Sequence, residues 1–343
     1  MKIFEKIFNY KIIFVFITFF VSISYSCTNN DDEDETTRGN WVRLSSLDGV
    51  ARCDAVAFSI NGKGYICTGY DGKKRLNDLW EYDPEKNSWK EKSNLPGSPR
   101  NGAVAFVINN KAYIATGYDG YNMLKDVWEY DPINDTWEQK NDFPGTSRYG
   151  AVAFSIKNKG YIATGYDGNY LKDLWEYDPQ TDKWTQKSGI PGEKRHSAVA
   201  FVIGDTAVYI CTGINNGTYV NDLYQYIPST DTWTKKNYIS NYWSDKSFDD
   251  NYNMIGINRV ALTINNKGYL ITGGQNTAGS DVWEYDVVED IWTKLVNFEG
   301  SARIEACGFV INNIGYLLTG RNGSNYFDDL WSFYPYDTYN EYD

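Results

Sequence analysis

The sequence predicts an all-β fold: a six-bladed β-propeller with four antiparallel strands per blade. Three observations predict it. A unit of about 48 residues recurs along the chain. Each unit holds four short strand-like runs separated by turn residues. The last unit lacks its final run, and a matching run stands alone near the N-terminus.

The repeat reads R-x-x-A-V-A-F-x-I-x-N-K-G-Y-I-x-T-G-Y-D-G, followed by L-x-D-L-W-E-Y-D-P-x-x-D-x-W. Its leading arginines are Arg52, Arg100, Arg148, Arg195, Arg259 and Arg303. The first aromatic anchors are Trp80, Trp128, Trp175, Tyr224, Trp283 and Trp331. Trp89, Trp137, Trp184, Trp233 and Trp292 each follow nine residues later. In the second copy the strand-like runs are 103–108, 112–116, 126–130 and 136–140. Asn109-Asn110 and Asp131-Pro132 supply two turns, and Tyr118-Asp119-Gly120 opens the loop between the second and third runs.

Ring closure follows from spacing. Nine residues after Trp331 lies Asn340, so the sixth unit has no second tryptophan. Trp41 precedes Arg52 by 11 residues, the interval that separates Trp89 from Arg100 and Trp292 from Arg303. The run beginning at Trp41 is therefore expected as the outer strand of the last blade, which ties the termini together and leaves no inner edge unpaired. One junction is irregular: Trp233 to Arg259 spans 26 residues. A long loop in a regular array is a candidate for function. This one carries Tyr242, Trp243, Asp245, Phe248, Asp249 and Asp250, without the spacing of a calcium loop.

The Y-I-x-T-G segment, the aromatic loop after it and W-E-Y-D-P-x-x-D-x-W resemble the Kelch family from Trp41 onward. Kelch blades usually end the second strand in a glycine pair, and here Gly273-Gly274 alone keeps it. The resemblance implies a propeller whose relatives include both binding modules and enzymes. Among the enzymes, a sialic-acid mutarotase (epimerase) is the nearest expectation, with arginines holding the sugar carboxylate and Glu305 or Asp54 moving a proton. A galactose-oxidase-like copper site needs two histidines, and the chain has one, His196.

The N-terminus reads as an export signal over residues 1–26. Lys2, Lys6 and Lys11 precede an apolar run from Ile12 to Val21 that is too short for a membrane span. Cys27 follows Ser-Tyr-Ser, resembling the lipidation site of bacterial lipoproteins, although Tyr25 is bulky for that motif. Residues 27–40 are expected as a solvated tether, because Asp31 to Glu35 is a run of like charge. Such a run after a lipidated cysteine also resembles a surface-sorting signal. The propeller then occupies residues 41–343, lipid-anchored in the outer membrane and facing the periplasm or the exterior.

Composition narrows the partners. With 33 basic and 45 acidic residues the net charge is -12, which repels nucleic acid. Five scattered cysteines lack metal or redox spacing, and a single histidine excludes most catalytic zinc sites. No cofactor or metal is called for, and a closed propeller is expected as a monomer. Cys53 and Cys307 are expected as free thiols, while Cys67 and Cys211 sit on opposite sides of the ring.

Strand direction places the leading arginine and the T-G-Y-D-G loop on one face and the W-E-Y-D-P turns on the other. The first face is the candidate ligand surface, gathering the six arginines with Tyr70, Tyr118, Tyr166 and Trp243. Guanidinium groups suit a carboxylate or an acidic glycan, and tyrosines suit sugar or peptide stacking. The competing expectation is that each arginine tiles its blade by pairing with Asp78, Asp126, Asp173 and their equivalents. Asp54 and Glu305 share one repeat position, two after the arginine, where other copies carry Gly102, Gly150, Ser197 and Ala261. They are the candidate acid–base pair, or else part of a salt-bridged rim. The functional expectation is a protein- or glycan-binding module, with an enzyme or a purely structural envelope protein as alternatives.

Overall fold

The computed structural model describes residues 38–241 and 251–343. The signal, Cys27 and most of the tether lie outside the described residues, as does Trp243 with its neighbours in the insertion. The described residues form six four-stranded antiparallel sheets. The second blade runs Val104–Ile108, Lys111–Ala115, Val127–Asp131 and Thr136–Lys140, within one residue of expectation. First strands of successive blades touch one another around the ring, and Val56–Ile60 of the first blade touches Cys307–Ile311 of the last.

The last blade closes as the spacing predicts. Strand Arg38–Leu44 pairs antiparallel with Leu330–Thr338, placing Trp41 opposite Phe333. Trp41 is wholly buried, stacked on Phe333 at 4.5 Å and edge-on to Phe298 at 4.8 Å. The strand starts at Arg38 rather than at Trp41. Its partner is nine residues long where other third strands have five, so it holds three more residues of the expected tether.

Each letter of the repeat has a task. In the second blade Asp126 accepts the Arg100 guanidinium and the Trp128 indole (2.7 Å). Glu129 accepts the Tyr113 hydroxyl at 2.6 Å. Tyr130 donates to Asp135 (2.7 Å), and Asp135 also accepts the Ser93 amide at the end of the preceding blade. Trp137 donates its indole N–H to the Ser93 carbonyl at 2.7 Å. Blade joints are thus latched by hydrogen bonds at the outer edge. Nearer the axis they are filled by aromatic rings: a Cβ on Gly64 would stand 2.1 Å from the Phe309 ring of the last blade.

Candidate functional site

The six arginines are not a ligand-facing ring. Arg52, Arg100, Arg148, Arg195 and Arg303 are at most 1% exposed and Arg259 is 7% exposed. Each guanidinium lies against a carboxylate of its own blade: Asp78, Asp126, Asp173, Asp222 and Asp329 at 2.6 Å, and Asp281 at 3.0 Å. Each also donates to the carbonyl of the threonine in T-G, as Arg100 does to Thr116 at 3.0 Å. Those threonines are fully buried and hold φ between +54° and +65°. A β-branched residue there is a backbone outlier costing about 1–2 kcal/mol, so the arginine holds a strained loop in place. Burial pushes the Asp126 carboxyl up, but the hydrogen bonds and charge of Arg100 outweigh it and hold it below the ordinary carboxylate range. The tiling expectation describes these residues; the ligand-binding one does not, because no guanidinium face is open.

What stands around the axis on that face is a collar of six peptide groups. The amide of Gly102 donates to the carbonyl of Asp54, Gly150 to Gly102, Ser197 to Gly150, Asn258 to Ser197, Glu305 to Asn258, and Asp54 to Glu305, at 2.8–3.4 Å. All six residues have φ between +53° and +62°. In the fifth blade the collar position is Asn258, not Ala261. Arg259 follows the collar there instead of preceding it, and Gly256 takes the backbone place of the other arginines, its carbonyl accepting the Gly213 amide. The Arg259 side chain nonetheless reaches the usual carboxylate. It passes where Gly273 has no Cβ, since one would lie 2.3 Å from Arg259 Cγ. The glycine pair kept in this blade has that cause.

Side chains above the collar make the candidate site. Asp54 and Glu305 are brought together at the joint between first and last blades. Glu305 is taken up by Arg321 in a two-pronged pair at 2.6 and 2.8 Å. Asp54 Oδ2 accepts Asn101 Nδ2 at 2.6 Å, and Asn101 Oδ1 accepts Arg75 Nε at 2.8 Å. Burial, then the Glu305 charge, pushes the Asp54 carboxyl up to about 6. The Arg75 guanidinium lies between the rings of Tyr70 (5.3 Å) and Tyr118 (4.7 Å).

Beyond Asn101 the wall is aromatic. Tyr149 neighbours Tyr118 (6.0 Å), Tyr166 (5.7 Å) and His196 (6.0 Å), and Tyr170 stacks on His196 at 5.4 Å. His196 Nδ1 contacts Ser197 Oγ at 2.8 Å, and burial lowers the pKa of its ring. Next to Tyr149 opens a hollow of about 720 Å³, lined by Asn101, Tyr118, Tyr121, Asn122, Tyr149 and Asp167 among others. Tyr121 is 91% exposed at its rim. A hollow offering ring faces beside amide and carboxylate groups can stack a flat apolar face and accept or donate hydrogen bonds around its edge.

Tyr70, Tyr118 and Tyr166 therefore reach the site as the repeat indicated. Arg75, Asn101, Tyr149, Tyr170 and Arg321 belong to it without having been singled out. Asn101 and Tyr149 sit between the repeated arginine and the collar, a place held elsewhere by Cys53, His196, Ile257 and Ile304. That variability inside a fixed frame was the available signal. The four cysteines of the described residues are free and buried, and burial pushes their thiols well up. The described end of the insertion packs inward: Tyr252 and Met254 are buried, and the Tyr252 hydroxyl accepts the Trp292 amide at 3.2 Å.

Comparison with known proteins agrees with this architecture. Residues 35–146 match the model of the KLHDC2/KLHL20/DRC7 Kelch-repeats domain, and residues 147–189 and 195–237 match the Kelch motif. No curated protein matches the chain in sequence. A solved structure titled "Structure of YjhT" superimposes with a TM-score of 0.70 over 84% of this chain and 95% of that one, at 16% identity. At that identity the likeness is one of fold.

Proposed function

We propose that this six-bladed propeller of Kelch repeats is a lipid-anchored module of the cell envelope that binds a glycan in the tyrosine-lined mouth above the collar. The hollow beside Tyr149 carries the reading, because it combines exposed ring faces with Asn101, Asn122 and Asp167. Sugars present apolar faces rimmed by hydroxyls, which this combination complements. With the repeat arginines enclosed, preference for an acidic ligand rests on Arg75 rather than on a ring of cations. The anchor and the envelope location rest on the basic n-region, the apolar run and Cys27. A glycan array probed with wild type and a Tyr118→Ala/Tyr149→Ala double variant tests the site. Binding by wild type and loss in the variant supports it, and no binding to any glycan leaves a protein partner. Palmitate labelling that persists in Cys27→Ser would overturn the anchor.

A second reading has its own observation. Asp54, with its carboxyl raised to about 6 beside Glu305, is poised to exchange a proton near neutral pH. That supports acid–base work on a bound sugar, of the kind a sialic-acid mutarotase performs. Anomer exchange of sialic acid followed by NMR tests it, and a rate unchanged by added protein sinks it.

A further inference from the structure

The face opposite the mouth carries a second, separate surface. Strand Arg38–Leu44 is the outer strand of the last blade and runs toward the mouth, so its first residue lies at the W-E-Y-D-P end. The chain therefore enters the propeller on the face away from the ligand hollow. Arg38 pairs with Thr338 and its guanidinium reaches Glu284 of the fifth blade at 2.9 Å. Between Cys27 and Arg38 stand ten residues, which extend to roughly 35 Å at most.

Exposed apolar side chains gather at this entry point. Val288, in the turn of the fifth blade, is 84% exposed. On the neighbouring last blade, the chain beyond the barrel-side strand exposes Tyr336 (47%), Tyr339 (41%) and Tyr342 (87%). Ile133, in the equivalent turn of the second blade, is 82% exposed. The charges on these turns are mixed, Glu85 beside Lys86 and Glu289 beside Val288, so apolar tips rather than net charge distinguish the face. Tyrosines favour the boundary between headgroups and water, where one end of the side chain is apolar and the other wet.

We infer that the W-E-Y-D-P face around Val288 and Tyr336 to Tyr342 rests on the headgroup region of a phospholipid bilayer, holding the mouth away from the membrane. The inference builds on the lipid anchor at Cys27 proposed above. It adds an orientation: the hollow beside Tyr149 opens to ligands arriving from the aqueous side. Lipid attachment supplies the affinity, and the apolar tips supply the tilt.

The test uses full-length lipidated protein purified from membranes and reconstituted into phosphatidylcholine–phosphatidylglycerol vesicles. Three variants, Val288→Cys, Tyr342→Cys and Tyr121→Cys, are labelled with an environment-sensitive fluorophore. The buried thiols of the propeller do not compete, and the replaced side chains are exposed, so folding is preserved. Flotation is read first, then quenching by nitroxide-bearing lipid. The expected result is flotation of all three, with quenching several-fold stronger at 288 and 342 than at 121. Flotation with equal quenching at the three sites, or stronger quenching at 121, overturns the orientation alone. Failure to float overturns the anchor reading, and the orientation with it.

Discussion

The amide of Asp54 donates to the carbonyl of Glu305 at 2.8 Å, and this bond joins the first blade to the last at the centre of the ring. Four sequential junctions and the interrupted one after Trp233 complete the collar. The same two residues carry the only carboxylates at collar positions, so the joint that closes the fold also supplies the acidic side of the mouth.

Replacing Asp54 tests how that position is charged. Its folded pKa lies above the ordinary value, so the stability tied to its protonated form is fully present below about pH 4 and lost as pH rises through about 6. Asp54→Asn keeps an acceptor for Asn101 and tolerates the positive φ. Urea unfolding should find it more stable than wild type at pH 7, by on the order of 1–3 kcal/mol, and nearly equal at pH 4. A wild type that gains stability between pH 4 and 7 through this residue would contradict the assignment.

The arginine tiles make the opposite pH prediction. Asp78, Asp126 and Asp329 are held below the ordinary range by their arginines, burial notwithstanding. Their stabilisation is present above about pH 4 and is lost as pH falls through the depressed values. Arg100→Ala leaves a half-buried carboxylate unpaired and frees the strained Thr116 loop. Denaturant melts at pH 7 should show a loss of about 3 kcal/mol.

These tiles also show what was legible in the sequence. The blade count, the strand order and the donated strand at Trp41 follow from spacing alone, because each unit repeats its anchors in place. The pairing of Arg100 with Asp126 was legible for the same reason: both recur in every copy. The fifth blade was not, since Arg259 reaches Asp281 from the far side of the collar and alignment on the arginine shifts the unit by three residues. The mouth was legible only in part. Tyr118 and Tyr166 follow the repeat, whereas Asn101, Tyr149 and Arg75 vary from blade to blade, and a repeat pattern averages such positions away.

Gly273 tests the shifted blade. A Cβ there meets Arg259 Cγ at 2.3 Å and its backbone at 2.8–2.9 Å, at a φ of +77°. Gly273→Ala should cost about 2–3 kcal/mol in thermal or urea unfolding. Gly168→Ala, with nothing within 4 Å of the added Cβ, should cost no more than about 1 kcal/mol despite its own positive φ.

Closure by the N-terminal strand rests on Trp41. Truncating it to alanine empties a wholly buried site against Phe298 and Phe333, at about 3–5 kcal/mol. Hydrogen exchange in Trp41→Ala should rise first along Leu330–Thr338, the strand that Arg38–Leu44 covers. Uniform exchange across all six blades would argue against a local closure.

The central claim is that the ligand is held in the tyrosine-lined mouth and not by the repeated arginines. Titration calorimetry of wild type and Tyr149→Ala, using the strongest glycan from the array, tests it most directly. Tyr149→Ala should lose at least about tenfold in affinity, or about 1.4 kcal/mol, with its far-ultraviolet spectrum unchanged. Affinity equal to wild type in a folded Tyr149→Ala protein would contradict the account.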